Sequence, residues 1–496
     1  MIKTVGIVGA GFAGVTAAKV LCSFGFDVTV FEKEADVGGV WSASRRYPGL
    51  TTQNPRDSYS LSDYPMPKDW PEWPFGEQVQ SYIGDYTEHF GIAGDILLNT
   101  SVTHAKLNAE DQTWTVSAQR TLADGGTEDI LKTFDLLIVA NGIFSIPFIP
   151  SFEGSDDFQS AGGEILHTSQ FTDPEITRDK NVLVVGYGKS SCDVANATVG
   201  ISHSTTMVVR HLIWKIPKLI GNVVNLKYIF QTRLSEALFQ YITMTRFERF
   251  LHGVGLPLRN GMMNAIEWVI QKQLNLRGLG LHPGNKLETI SRSTISMVTP
   301  GFFENIAEGN LQFKNSTEIV TLRPGEADLS SGDTVPVDTI VCGTGWQQLV
   351  PFLDQDIMDK VTDEEGNFRL YKSILPLGVP NLLFNGYNSS FFSQLNAEIG
   401  ALWMTEYILG GIELPAEETM NNWVDQRLAW MKARTDGKHS KGTNIIPFSV
   451  HQMDELQKDM DLELPVLKRF SQWFVPIRGQ DFKGLTKRLQ QRHGIV

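Results

Sequence analysis

The chain gathers its apolar residues in short unbroken runs rather than in strict polar–apolar alternation. Thr4-Val5-Gly6-Ile7-Val8, Asp27-Val28-Thr29-Val30-Phe31 and Phe134-Asp135-Leu136-Leu137-Ile138-Val139-Ala140 are three of them. Asn181-Val182-Leu183-Val184-Val185, Ser204-Thr205-Thr206-Met207-Val208-Val209 and Val337-Asp338-Thr339-Ile340-Val341-Cys342 are three more. Runs with no polar face read as strands covered by helices on both sides. A helical stretch at 14–24, closed by Gly25, separates the first two runs, and another at 190–197 separates the fourth and fifth. Strand, helix, strand, twice over, predicts an α/β fold of two Rossmann-like units.

The strand-to-helix junctions are both glycine-rich. Gly9-Ala10-Gly11-Phe12-Ala13-Gly14 follows the first run, and Gly186-Tyr187-Gly188-Lys189-Ser190-Ser191 follows the fourth. A strand, a tight glycine turn and a helix form a fingerprint for dinucleotide phosphates, because the backbone approaches the pyrophosphate and the helix N-terminus attracts its charge. Glu32 ends the strand after the first fingerprint, where an acid bonds an adenosine ribose. Arg210 and His211 stand at the equivalent tip of the second unit. A cation there suits the 2′-phosphate of NADPH, which an acid would repel. Two dinucleotides on one chain imply electron transfer between them, with FAD on the first unit and NADPH on the second.

Between residues 217 and 284 the pattern turns helical and aromatic-rich, with Phe230, Phe239, Tyr241, Phe247, Phe250 and Trp268. The aromatics suit either a core or a substrate tunnel. The run at 337–342 ends in Gly343-Thr344-Gly345-Trp346 and is expected to rejoin the first unit, so that the second interrupts it. The predicted organisation is an FAD-binding domain at 1–165 and 331–450 and an NADPH-binding domain at 166–330 with its helical insertion. A C-terminal helical tail follows at 451–496. That tail is locally basic (Lys468, Arg469, Arg478, Lys483, Lys487, Arg488, Arg492), and a solvated final helix accounts for it better than an anionic partner or membrane surface.

A net charge of −13 argues against nucleic acid as a partner. Cys22, Cys192 and Cys342 are far apart, so neither a dithiol redox centre nor a metal knuckle is expected, and few cysteines fit a reducing compartment. The first strand begins so near Met1 that no signal peptide is expected. Lysines interrupt the most apolar long stretch, at 212–230, so an integral membrane segment is not expected either. These features suggest a cytoplasmic protein.

Several further motifs resemble the class B flavoprotein monooxygenases, above all their flavin-containing monooxygenase branch. Gly38-Gly39-Val40-Trp41 is similar to the family's flavin-side Gly-Gly-x-Trp. The segment from Thr51-Thr52-Gln53-Asn54-Pro55 to Ser62-Asp63-Tyr64-Pro65 resembles one whose asparagine faces the flavin. Gly163, His167 and Phe171 fall on the family's identifying pattern, Phe-x-Gly-x-x-x-His-x-x-x-Phe/Tyr. Gly343-Thr344-Gly345-Trp346 and the run from Pro380 to Gly386 look like its late motifs. Ala161 replaces the opening phenylalanine of the identifying pattern, Thr172-Asp173 follows Phe171 where a basic residue is usual, and Ser191 replaces the third glycine of the second fingerprint. Baeyer–Villiger relatives usually carry tryptophan where Phe171 stands.

The resemblance implies a monooxygenase in which NADPH reduces FAD, oxygen adds to give a C4a-(hydro)peroxyflavin, and one oxygen atom passes to nitrogen or sulfur of a small organic substrate. Baeyer–Villiger oxidation of ketones is the alternative chemistry, and a non-catalytic FAD-binding regulator the alternative class. Asn54 is the implied catalytic residue. Gly9, Gly11, Phe12, Ala13 and Gly14 would bind the FAD pyrophosphate side, with Glu32 and Lys33 at the ribose. Gly39, Val40, Trp41, Thr52, Val102, Ala140 and Gly142 carry over as cofactor contacts, as do Thr344, Gly345 and Gln394. Gly186, Gly188, Lys189, Ser190, Ser191, Arg210 and His211 would hold NADPH. His167 reads as a structural orienter of the interdomain link, and a homodimer is a candidate assembly.

Overall fold

The computed structural model describes residues 2–292, 295–435 and 441–495. Its frame is two five-stranded, all-parallel sheets. The first runs in the order Leu382–Phe384, Leu136–Val139, Thr4–Val8, Asp27–Phe31, Ile96–Leu97. The second runs Gln312–Asn315, Ser204–Val209, Asn181–Val185, Thr339–Cys342, Glu164–His167. Leu136–Val139 and Thr339–Cys342 are buried at every position, as unbroken apolar runs require.

The strand Thr339–Cys342 corrects an expectation. It does not rejoin the first sheet; it lies between Asn181–Val185 and Glu164–His167 in the second. An apolar run ending at a glycine turn suits either sheet, and only the pairing register decides. The strand that does return to the first sheet is Leu382–Phe384, beside Leu136–Val139.

In the first unit the helix Phe12–Ser23 packs between the sheet and Ser393–Ile408, a helix buried from Gln394 to Glu406. Against the other face of the parallel sheet lies an antiparallel sheet of Thr100–Leu107, Trp114–Thr121 and Thr127–Phe134. This one does alternate: Trp114, Val116 and Ala118 point into the core while the residues between them are partly exposed.

The insertion is helical as expected, with Arg246–Leu251 and Leu256–Gln273 its main helices after a short hairpin of Leu219–Ile220 and Val224–Asn225. The parallel pair Trp214–Ile216 and Ile295–Met297 closes its base. Its aromatics divide: Phe230, Phe239 and Tyr241 are buried in the second core, whereas Phe247, Phe250 and Trp268 are exposed. The final helix, Leu485–Arg492, is not simply solvated. Leu485 and Leu489 are buried in the first core, and Arg492 bonds Glu406 on Ser393–Ile408. Among the described residues no helix is long and apolar enough to cross a membrane.

Candidate active site at two glycine turns

A cavity of about 430 Å³ opens at the carboxyl end of the first sheet, where open α/β sheets bind ligands. Gly9, Gly11, Phe12, Ala13, Glu32, Lys33, Gly39, Val40, Trp41, Val102, Ala140, Gly142 and Gln394 all line it. The glycines are there for steric reasons. Gly9 has φ +108°, and a Cβ on it would sit 2.5 Å from the Ala140 carbonyl. Gly14 lies below the cavity, where a Cβ would stand 1.8 Å from the Gly9 carbonyl, so it allows the helix to seat against the strand. Gly39, at φ +61°, approaches the Gly11 Cα so closely that the two bare backbones form one wall.

Glu32 is buried at the strand tip. Its Oε2 accepts the Ala10 N–H at 2.7 Å and its Oε1 the Glu34 N–H at 3.0 Å. Burial raises its pKa, and the two N–H donors oppose that rise. Across the cavity Gln394 presents an Oε1 that is buried with no hydrogen-bond partner among the described residues. A bare-backbone cradle, a buried acid and an unpaired amide oxygen facing one cavity are the features a dinucleotide carrying a polar ring would satisfy.

The second turn is built alike. Gly186 has φ +112°, and Ser191 uses its hydroxyl to bond the Gly343 carbonyl at 3.2 Å. A Cβ added to Gly188 would meet nothing within 4 Å, so the space over that glycine is open. Beside the turn lies a second cavity of about 430 Å³. Thr51, Trp73 and Phe75 of the first unit face Lys189, Asp193 and Lys218 of the second across it. Lys189 is paired with Asp193, which also accepts from Tyr47 at 2.8 Å. Ser190 sits half-buried in the first turn of the helix. Arg210 and His211 are exposed at the strand tip, and among the described residues Arg210 meets only Glu318, at 3.7 Å.

Other expected residues lie behind the cavities rather than in them. Asn54 is buried, and its amide donates to the Phe391 carbonyl; Thr52 donates to the Asn54 carbonyl at 2.8 Å. Thr344 donates to the Phe148 carbonyl beside the two-stranded link of Trp346–Gln347 and Ile146–Pro147. Gly345 accepts from His167 Nε2 at 3.0 Å, and His167 Nδ1 accepts the Ser169 N–H at 3.2 Å. Burial lowers the His167 pKa, so a neutral ring with its proton on Nε2 satisfies both partners.

Sequence reasoning missed Tyr59, Arg45, Asn141 and Asn388, which all line the first cavity. Tyr59 stands edge-on to both Phe12, at 5.6 Å, and Trp41, at 5.7 Å. Burial raises its hydroxyl pKa, against contacts with Trp41 and Gln394. Asn141 alone carried a local signal, since it precedes Gly142 at the end of an apolar strand.

The family model described as "FMO-like: Flavin-binding monooxygenase-like" matches residues 2–468. Flavin-containing monooxygenase 1 of Rattus norvegicus is 27% identical over 450 residues, covering 86% of this chain and 77% of that protein. The structure of S-allyl-L-cysteine S-oxygenase from Allium sativum superposes with a TM-score of 0.64 at 20% identity, covering 99% of this chain and 94% of the other. An oxidized steroid monooxygenase bound to NADP superposes with a TM-score of 0.68 at 20% identity, covering 92% and 97%. At such identities the two superpositions speak for the fold.

Proposed function

The chain belongs to the flavin-binding monooxygenase-like family, and from that premise we propose that it transfers one oxygen atom from O2 to a soft nucleophile, an amine nitrogen or a sulfide sulfur, of a small organic substrate. It is an NADPH-dependent flavoprotein monooxygenase, and its cofactors are FAD and NADPH. The observation that carries the reading is the first cavity, where Glu32, the Gly11–Gly39 wall and the unpaired Gln394 Oε1 face one another.

When bound, the flavin supplies the redox chemistry, taking hydride from NADPH and activating oxygen. The chain supplies binding, orientation and dryness. Gly9, Gly11 and the N-terminus of Phe12–Ser23 would hold the FAD pyrophosphate, and Glu32 the ribose hydroxyls. Trp41 and Phe12 each stand edge-on to Tyr59, an aromatic wall of the cavity that would help keep water from a bound flavin. Gly186, Gly188 and Ser190 would hold the NADPH pyrophosphate, with Arg210 reaching the 2′-phosphate. Asn54 would orient the reacting groups through the segment whose Phe391 carbonyl is held by its amide, an uncharged donor that needs no tuned pKa.

The cysteines support oxygen rather than a protein dithiol as the electron acceptor. All three are free, and burial pushes the Cys22 and Cys342 thiols up to about 12, so neither is a thiolate at neutral pH. The test offers a thioether and a ketone together, with NADPH and oxygen, and identifies the products. Sulfoxide formation is expected. Ester without sulfoxide would move the chain to Baeyer–Villiger chemistry, and FAD binding without NADPH turnover would leave a regulator.

A further inference from the structure

Lys215 is buried to 1% exposure directly behind the second glycine turn. Its Nζ donates to the Tyr187 carbonyl at 2.6 Å and the Ser296 hydroxyl at 3.0 Å, and lies 3.5 Å from the Gly188 carbonyl. It also lies 4.2 Å from the centroid of the Tyr187 ring. The Ser296 hydroxyl donates onward to the Met297 carbonyl at 3.3 Å, so toward Lys215 it can only accept. Three oxygen acceptors and the Cys192 thiol surround Nζ, and the contact with Cys192 opposes the lowering of the Lys215 pKa by burial. No carboxylate is bonded to it among the described residues.

A lysine buried without a carboxylate is costly, and its partners show what it does. The peptides of this turn are trans, so across each one the carbonyl and the next N–H point in opposite directions. Drawing the Tyr187 carbonyl inward turns the Gly188 N–H outward. The contact with the Gly188 carbonyl, which also accepts the Cys192 N–H at 3.2 Å, does the same for the Lys189 N–H. These N–H groups have no acceptor among the described residues, and a Cβ on Gly188 would meet nothing within 4 Å, so the turn is open beside them. The first turn solves the same problem differently. There the Ala10 carbonyl, in the place of Tyr187, accepts the backbone N–H of Gly38 at 3.0 Å.

We propose that Lys215 is a positioning residue for the pyrophosphate of the nicotinamide cofactor. It fixes the Tyr187–Gly188 and Gly188–Lys189 peptides with their N–H groups aimed at the anion and adds a buried positive charge behind them. This rests on the assignment of NADPH to the second unit. Buried ammonium and ordered backbone act only on the pyrophosphate, whereas Arg210, at the strand tip, would act only on the 2′-phosphate. The two contributions are therefore separable with a fragment that lacks the pyrophosphate.

The experiment titrates the FAD-loaded protein with NADP⁺, read from the flavin spectrum, and with 2′-AMP as a competitor. Lys215→Met should weaken NADP⁺ by about tenfold or more, the size of a lost charge-assisted contact, while 2′-AMP affinity and FAD content stay unchanged. Unchanged NADP⁺ affinity, or equal losses for both ligands, would overturn the proposal. Should Lys215→Met not fold, Ser296→Ala removes one acceptor of the ammonium and should weaken NADP⁺ by about twofold to threefold with 2′-AMP unaffected. No change there would overturn it equally. Wild-type protein that fails to bind NADP⁺ would instead overturn the NADPH assignment.

Discussion

The Glu32 carboxylate accepts the backbone N–H of Ala10 at 2.7 Å, so the acid at the strand tip and the first glycine turn are one unit. Removing the side chain then does two things. It takes away a ribose acceptor, and it leaves the Ala10 N–H, inside the fingerprint, without its partner. Glu32→Ala should weaken FAD by about tenfold to a hundredfold, the range for hydrogen bonds to a charged group. Flavin content after dialysis and a fluorescence titration with FAD check this. Full retention of FAD would remove Glu32 from the cofactor site.

Arg210 has its side chain 70% exposed, with only a long contact to Glu318 among the described residues. So exposed a pair contributes little to folding, which leaves the guanidinium free to bind a phosphate. Arg210→Ala should raise the NADPH KM by about tenfold or more and leave the NADH KM nearly unchanged. Equal losses with both cofactors would place the 2′-phosphate elsewhere.

Asn54 holds the Phe391 carbonyl, in the segment leading to the helix of Gln394. The substituted chain should keep FAD, since Asn54 lies outside the first cavity wall. Asn54→Ala is expected to oxidise NADPH at near the native rate while losing about tenfold or more of its oxygenated product, the rest appearing as hydrogen peroxide. Parallel assays of NADPH, product and peroxide decide it. Full coupling in the variant would end its catalytic assignment.

The parts legible in the sequence were those set by local sterics. Gly9 and Gly186 need positive φ, Gly14 and Gly343 have no room for a Cβ, and each announces itself as a glycine in a short window. Glu32 followed from its spacing. What depended on distant pairing was not legible. Thr339–Cys342 fits either sheet by pattern, and Tyr59 reaches the cavity only because its segment folds under Phe12 and Trp41. Lys215 looked like one of several cations in an apolar stretch until the fold placed it behind the second turn.

His451 ties the insertion to the C-terminal helices. Its Nδ1 meets Glu236 and its Nε2 meets Glu248, both at 2.8 Å. Burial alone would lower its pKa, but the two glutamates outweigh that and raise it to about 10. Because the folded value lies above the unfolded one, the stabilisation is complete below about pH 6.5 and is lost as pH rises toward 10. The Tm should fall over that window, and His451→Gln should flatten the fall. Thermal melts from pH 6 to 10 test this, and parallel profiles for both proteins would refute it.

Glu398 gives a parallel test for an acid, in a lower pH window. Its two oxygens accept the Ser62 N–H at 2.9 Å and the Ser62 hydroxyl at 2.7 Å, pinning the segment that continues from Asn54. Nearby, Asp63 is paired with Lys19 at 2.5 Å. Burial, then the charge of Asp63, raises the Glu398 pKa to about 7 against the help of Lys19 and Ser62. For an acid whose folded pKa lies above its unfolded value, the folded state holds the proton longer. Its contribution is therefore greatest below about pH 4.5 and declines as pH rises to about 7. A shift of that size corresponds to about 3 kcal/mol. Glutamine cannot titrate, so the stability of wild type relative to Glu398→Gln should decline across this window, whichever protein is the more stable at its start. Denaturant melts of the pair at pH 5, 6 and 7 measure the difference directly, and a constant difference would show that Glu398 keeps its charge throughout.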